Sequence, residues 1–167
     1  KGMDIDQRYI SHAKKNYSHI NFRQGDVLYW NDEEKYDVVI CTGALHHINY
    51  ADQSEAIRKI ASLVKINGFV LISDCYIDDY DDEEERKLGA AKLGYEYLKA
   101  TIENHAPIEV IKACLEILEN DVLMEEFKTS VTRQKVNLEK FFEKIKTIKA
   151  WPINPTQYGD YIHICIR

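Results

Sequence analysis

Residues 36–48 read YDVVICTGALHHI. Tyr36 to Cys41 is a nearly continuous apolar, β-branched run, the pattern of a strand buried inside a parallel sheet. Thr42-Gly43 break it, and His46 and His47 follow within one loop. In open parallel sheets ligands bind beyond the carboxyl ends of the strands. The segment that points to the sheet therefore also says where chemistry is expected.

Downstream, Ala56, Ile57, Ile60, Leu63 and Val64 recur at helical spacing, which predicts a helix over Ala51–Lys65 terminated by Asn67-Gly68. Phe69–Ser73 (FVLIS) reads as a second buried strand. Upstream, Ile20–Val27 (INFRQGDV) reads as a short strand closing on a Gly-Asp turn, with a polar loop through Asn31, Asp32, Glu33 and Glu34 after it. Before it, Tyr9, Ile10, Ala13 and Tyr17 share one helical face. Strand and helix alternate, which predicts an α/β fold with helices on the faces of a mostly parallel sheet. Beyond Ser73 the pattern changes. Asp78–Glu85 is almost wholly acidic, and two helices follow, one with a stripe of Leu88, Ala91, Tyr95, Leu98 and Ile102, the next opening at Pro107 with Val110, Ile111, Cys114, Leu115 and Leu118. Residues 76–128 are expected to be a helical lid insertion within one domain spanning 1–167. Ser130 is expected to cap a helix carrying Val136, Leu138, Phe141 and Phe142. Ile145–Trp151 and Tyr161–Ile166 should close the sheet as an antiparallel hairpin.

The 167 residues are 45% hydrophobic and 30% charged, a globular balance for a single domain. A net charge of -6 and a pI near 5.5 argue against a nucleic-acid partner, whose phosphates need Lys and Arg. No apolar run reaches the roughly 20 residues of a membrane span, and the opening KGMDIDQRYI is no signal peptide, so a cytoplasmic setting is expected. Cys41, Cys75, Cys114 and Cys165 form no C-x-x-C pair and read as reduced core thiols.

Four points stand just after apolar runs: Asp4, Gly25-Asp26, Cys41-Thr42-Gly43 and Asp74. A carboxylate at Asp4 can accept both hydroxyls of a ribose. Asp26 can accept from an adenine amino group beside the Val27 N–H, with Ile5 as an apolar face for the ring. Here GMDID, FRQGDV, YDVVICTGALHHI, LVKINGFVLISD and the pair KIKTIKAWP and YGDYIHICIR resemble, in order, segments of the class I S-adenosylmethionine-dependent methyltransferases. The resemblance implies a Rossmann-like methyltransferase sheet with the helical insertion after the family's fifth strand. It also implies S-adenosylmethionine as cofactor, held by Asp4, Ile5, Gly25, Asp26, Val27, Cys41 and Thr42, and methyl transfer to a small-molecule acceptor.

The family places a first strand and a Gly-x-Gly loop upstream of the segment that GMDID resembles, and none of the seven glycines here forms a Gly-x-Gly. The expectation is a chain that begins in mid-fold, with the first strand absent and this stretch inactive alone. His46 and His47 are the candidate bases, since imidazole accepts protons near neutral pH; a structural hydrogen bond fixing the loop is the competing reading. Tyr50, Tyr76 and Tyr80 are candidates to line the acceptor pocket. His12, His19, His105 and His163 are expected to be structural or superficial. The acidic run lacks the spaced ligands of a calcium loop, so no metal is expected there. Two other functions remain open. One is a noncatalytic binding module of this fold. The other is a nicotinamide-dependent short-chain dehydrogenase, whose Tyr-x-x-x-Lys spacing Tyr95 and Lys99 match, without a Ser at the distance upstream that the family requires.

Overall fold

The computed structural model describes residues 1–31, 33–123 and 126–167. Asp32 of the expected polar loop, and Met124 and Glu125 of the expected insertion, lie outside the described residues. The chain runs β1 (Gly2–Asp4), α1 (Gln7–Asn16), β2 (Phe22–Gln24), β3 (Tyr36–Thr42), a 3-10 turn (Leu45–His47), α2 (Tyr50–Leu63), β4 (Val64–Tyr76), α3 (Glu83–Glu103), α4 (Ile108–Val122), α5 (Val131–Glu139), β5 (Lys144–Trp151) and β6 (Gly159–Ile166). β1 and β2 pair in parallel as a two-stranded sheet, and β3-β4-β6-β5 form a four-stranded one. In the latter β3 and β4 are parallel, while β6 lies antiparallel to both β4 and β5. The α/β class, the parallel pairing and the closing hairpin are as the sequence predicts.

Side-chain polarity explains the layers. The α2 stripe of Ala56, Ile57 and Ile60 packs on Val70 and Ile72 of β4, with Leu138 and Phe142 from the α5 region and Cys165 of β6 closing the cluster. Each buried isoleucine contributes about 1.5–3 kcal/mol of transfer free energy. Asn49 caps α2, its side-chain oxygen accepting from Ala51 N at 3.1 Å. Val27 and Leu28 reach the same cluster, so the loop after β2 is packed onto the main core. Among the described residues no helix is long and apolar enough to cross a membrane.

Several expected boundaries move. α2 ends at Leu63 rather than Lys65, and β4 starts at once at Val64. Asn67-Gly68 does not stop the helix; it forms an irregularity inside β4, where the register to β3 slips between Tyr36/Val64 and Val38/Phe69. Asn67 has φ 68, and a Cβ on Gly68 would lie 2.6 Å from Asp37 O, so the bulge needs both residues. β2 covers only Phe22–Gln24 of the expected Ile20–Val27. On α3 the predicted stripe faces outward at three positions, Leu88, Tyr95 and Ile102 being 67%, 59% and 52% exposed. The buried face is Arg86, Gly89, Ala90, Leu93 and Gly94, because small residues let helices approach closely: a Cβ on Gly94 would meet Leu118 of α4 at 2.8 Å. Val136 also points outward. The acidic run is tied down locally. Asp78 takes Tyr158 N and Lys92, Asp79 takes Thr132, and Asp82 caps α3 through Glu85 N.

Candidate functional site

Just past β3, Gly43 adopts φ 55 and donates its N–H to Ser73 O at 2.9 Å, swinging the chain off the sheet. Leu45 is buried and anchors the 3-10 turn, which brings His46 over the end of β4. Asp74 shares the buried face of β4 with Val70, Ile72 and Tyr76. Its Oδ2 accepts from Leu45 N at 2.9 Å, and its Oδ1 accepts from Cys75 N at 2.9 Å and meets His46 Nδ1 in a short hydrogen bond. Burial pushes the Asp74 carboxyl up, but the His46 hydrogen bond and charge and the two backbone N–H groups outweigh it and hold the group below its ordinary value. A carboxylate against Nδ1 fixes the imidazole proton there and leaves Nε2 as the acceptor.

Residues 126–128 lie across this turn. Phe127 N donates to His46 O at 2.6 Å, and the Gln53 amide donates to Ile48 O at 3.0 Å and Phe127 O at 2.8 Å. His46 Nε2 stands 3.8 Å from Glu126 Oε2, and His47 Nδ1 stands 3.7 Å from Glu126 Oε1. Burial, then His46, lowers the pKa of His47. His46 with His47 and Glu126, and His46 with Asp74 and Cys75, are groups with metal-ligand chemistry among the described residues. Both are engaged internally, Glu126 by the Lys128 ammonium and Asp74 by His46.

An open cavity of about 230 Å³ lies between Gly43, His46, the Ser73–Cys75 end of β4, Tyr97 of α3 and Asp160 of β6. The Tyr97 hydroxyl donates a short hydrogen bond to Asp160 Oδ1, and its ring stacks on Trp151 at 5.0 Å and 15°. Burial raises the pKa of Asp160, partly countered by that bond. None of Tyr50, Tyr76 and Tyr80 lines this cavity. Tyr50 donates to Lys128 O at 2.8 Å, Tyr76 is enclosed against Tyr161 and His163, and Tyr80 lies under the Arg133 guanidinium. Tyr97 and Asp160 are not among the positions the sequence points to; the Gly-Asp pair that opens β6 is a signal that could have found Asp160.

The other predicted positions gather at the carboxyl ends of β1, β2 and β3. Gly25 N donates to Asp4 O at 3.0 Å, drawing the ends of β1 and β2 together. Asp4 Oδ1 takes Asp6 N at 2.8 Å and Asp26 Oδ1 takes Leu28 N at 2.9 Å. Ile5 is 66% exposed beside Asp4, whereas Val27 packs on the core. Thr42 ends β3 exposed, and Cys41 is half-buried behind it with its thiol pushed up to about 12 by burial. Tyr95 and Lys99 lie exposed on α3, away from the cavity.

Residues 1–68 match a family model described as a methyltransferase domain. No curated protein sequence matches the chain. Among solved structures, the chain is similar to the CMeT domain of the citrinin polyketide synthase, with a TM-score of 0.63 and 11% identity, over 98% of this chain and 38% of that one. It is similar to the N-methyltransferase NodS from Bradyrhizobium japonicum WM9 in complex with S-adenosyl-L-homocysteine, at TM-score 0.58 and 9% identity, over 98% of this chain and 63% of that one. Magnesium protoporphyrin IX methyltransferase from Synechocystis PCC 6803 with bound S-adenosylhomocysteine gives TM-score 0.57 and 18% identity, over 99% and 63%. The chain thus spans less than two thirds of the length of each of these structures.

Proposed function

We propose that this chain is part of a class I S-adenosylmethionine-dependent methyltransferase, a reading supported by the methyltransferase-domain model that matches residues 1–68, and that the protein moves a methyl group to a small acceptor with His46 as general base. The observation that carries this reading is the His46–Asp74 pair at the mouth of the cavity beyond β3 and β4. The donor set fits the cofactor. Asp4 and Asp26 each commit one oxygen to a backbone N–H, leaving the other for a ribose hydroxyl or an adenine amine, and Ile5 offers an exposed apolar face. Gly25 and Val27 complete that edge, with Cys41 and Thr42 toward the reacting end. S-adenosylmethionine supplies a methyl carried on a positively charged sulfur.

The chain's own residues do the rest. Transfer is an in-line displacement, so holding the acceptor at the right distance provides much of the rate. His46 Nε2 takes the proton from the attacking group as it attacks. The charge that then appears on the imidazole is stabilised by Asp74 at Nδ1 and by Glu126 near Nε2. His47, more exposed, borders the same carboxylate. Tyr50 and Tyr80 act behind the acceptor by holding residues 126–133, and Tyr76 backs the wall beneath His46. Residues 76–128 serve as the lid that shapes the cavity and excludes water, with Tyr97 as its contribution to the wall. The cavity volume favours a small molecule, and the four free thiols suit a reducing, cytoplasmic setting.

Calorimetry on the intact protein with S-adenosylhomocysteine and with NADH tests the reading. Binding of the first and not the second is expected. Binding of NADH alone would favour a dehydrogenase, and binding of neither a noncatalytic module; each outcome overturns the proposal.

A further inference from the structure

Among the described residues, the cavity is lined by two carboxylates, Asp74 and Asp160, and by no Lys or Arg. They are not equivalent. Asp74 is fully engaged, by Leu45 N at one oxygen and by Cys75 N and His46 at the other. Asp160 receives one hydrogen bond, from Tyr97 to Oδ1, and its Oδ2 has no protein donor among the described residues. A half-buried carboxylate whose second oxygen is open to the cavity offers a cation a charge-assisted hydrogen bond.

Asp160 is also rigidly placed. Register pairs it with Cys75 across β4 and with Trp151 across β5, and Trp151 in turn holds the Tyr97 ring flat against it. A site built on paired strands and a stacked aromatic is preorganised rather than adaptable. Across the same cavity stands His46, the base of the proposed reaction. We propose that Asp160 is an ammonium subsite: the acceptor is a small amine whose protonated nitrogen rests on Asp160 while a second, proton-bearing group faces His46. That the amine is the methyl acceptor rests on the methyltransferase reading; the affinity of the cavity for a cationic amine stands on Asp160 alone. Burial raises the pKa of Asp160 in the amine-free protein, which agrees with a carboxylate awaiting a cation.

The test uses tyramine and 4-propylphenol, which share a phenol and differ in having an ammonium or a methyl at the other end. Their dissociation constants are measured by calorimetry at pH 7.5 on the intact protein, with S-adenosylhomocysteine titrated in the same preparation. Tyramine is expected to bind at least about tenfold more tightly, a ratio that corresponds to one charge-assisted contact. In Asp160→Asn the ratio should fall to near one; in Tyr97→Phe, which keeps the carboxylate, it should persist. Equal binding of the two probes to the wild-type protein overturns the proposal without needing any variant. So does a preference that survives Asp160→Asn, or one lost as completely in Tyr97→Phe. Binding of S-adenosylhomocysteine without an amine preference removes this inference and leaves the methyltransferase reading intact. An amine preference without S-adenosylhomocysteine binding does the reverse.

Discussion

On β6, His163 is fully enclosed, with Nδ1 3.0 Å from Thr147 Oγ1 and its ring edge-on to Tyr76 at 5.3 Å. Burial, and after it the Lys135 ammonium, lowers its pKa to about 4. The unfolded chain takes up this proton near pH 6.5, whereas the folded chain refuses it until near 4, so the unfolded state binds more protons in between. Stability is therefore full above pH 6.5 and falls as the pH drops toward 4, by about 3 kcal/mol in all. Denaturant titrations from pH 7.5 to 4.5 should show this slope and show it flattened in His163→Gln; parallel curves would refute the assignment. Asp74 makes a prediction of a different kind. Asp74→Asn removes the ionised partner of His46 Nδ1 and releases the tautomer, so acceptor turnover should fall by about 10²–10⁴ while S-adenosylhomocysteine affinity holds. The ¹⁵N shifts of His46 report the tautomer without any acceptor, and an unchanged pattern in the variant would count against the dyad.

At the scale of elements, the turn into β6 sets the far wall of the cavity. Gly159 has φ 136, and a Cβ there would lie 2.0 Å from Trp151 O. Gly159→Ala must push β5 and β6 apart at the point where Asp160 is held. A loss of about 1–3 kcal/mol is expected, together with loss of the tyramine preference; a variant matching wild type in both melting temperature and probe selectivity would show that the turn does not position Asp160. The sheet was legible in the sequence because short apolar runs such as Tyr36–Cys41 and Phe69–Ser73 satisfy one pattern only. The facing of α3 was not, because its packing surface is built from Gly89, Ala90 and Gly94, which carry almost no hydrophobic signal, while the bulkier Leu88 and Tyr95 remain outside. The site divides in the same way. His46 and Asp74 stand beside strand ends, where sequence points to chemistry. Tyr97 and Asp160 meet across 63 residues, a contact that only the folded hairpin and α3 create.

For the whole molecule, residues 126–130 tie the helical segment to the His46 turn: Phe127 N reaches His46 O, Ile77 N reaches Thr129 O at 3.1 Å, and Lys128 Nζ pairs with both Asp121 of α4 and Glu126. Lys128, Asp121 and Arg86 are each almost fully enclosed, so the charges that hold the end of α4 and residues 126–128 together sit where they are expensive. The three do not carry that cost equally. Burial pushes the Asp121 carboxyl up, to about 6, against the pull of Lys128, and its Oδ2 finds no partner among the described residues. A carboxyl raised in the folded state favours folding when protonated, and that contribution is lost as the pH climbs through 6. Asp121→Asn should then cost little at pH 7.5, since Glu126 still neutralises Lys128 and the Arg86 contact is to the Asp121 backbone oxygen. Lys128→Met leaves two carboxylates facing each other and should cost about 3–5 kcal/mol, the usual penalty for a buried charge stripped of its partner. Denaturant melts of both variants at pH 7.5 decide the matter: comparable losses would mean that Asp121 is the indispensable anion and that residues 126–130 are held by that pair. The Lys128→Met melt should be accompanied by weaker tyramine binding, because Tyr97 sits on α3, whose Arg86 holds the Asp121 end of α4, and Asp160 faces it from β6.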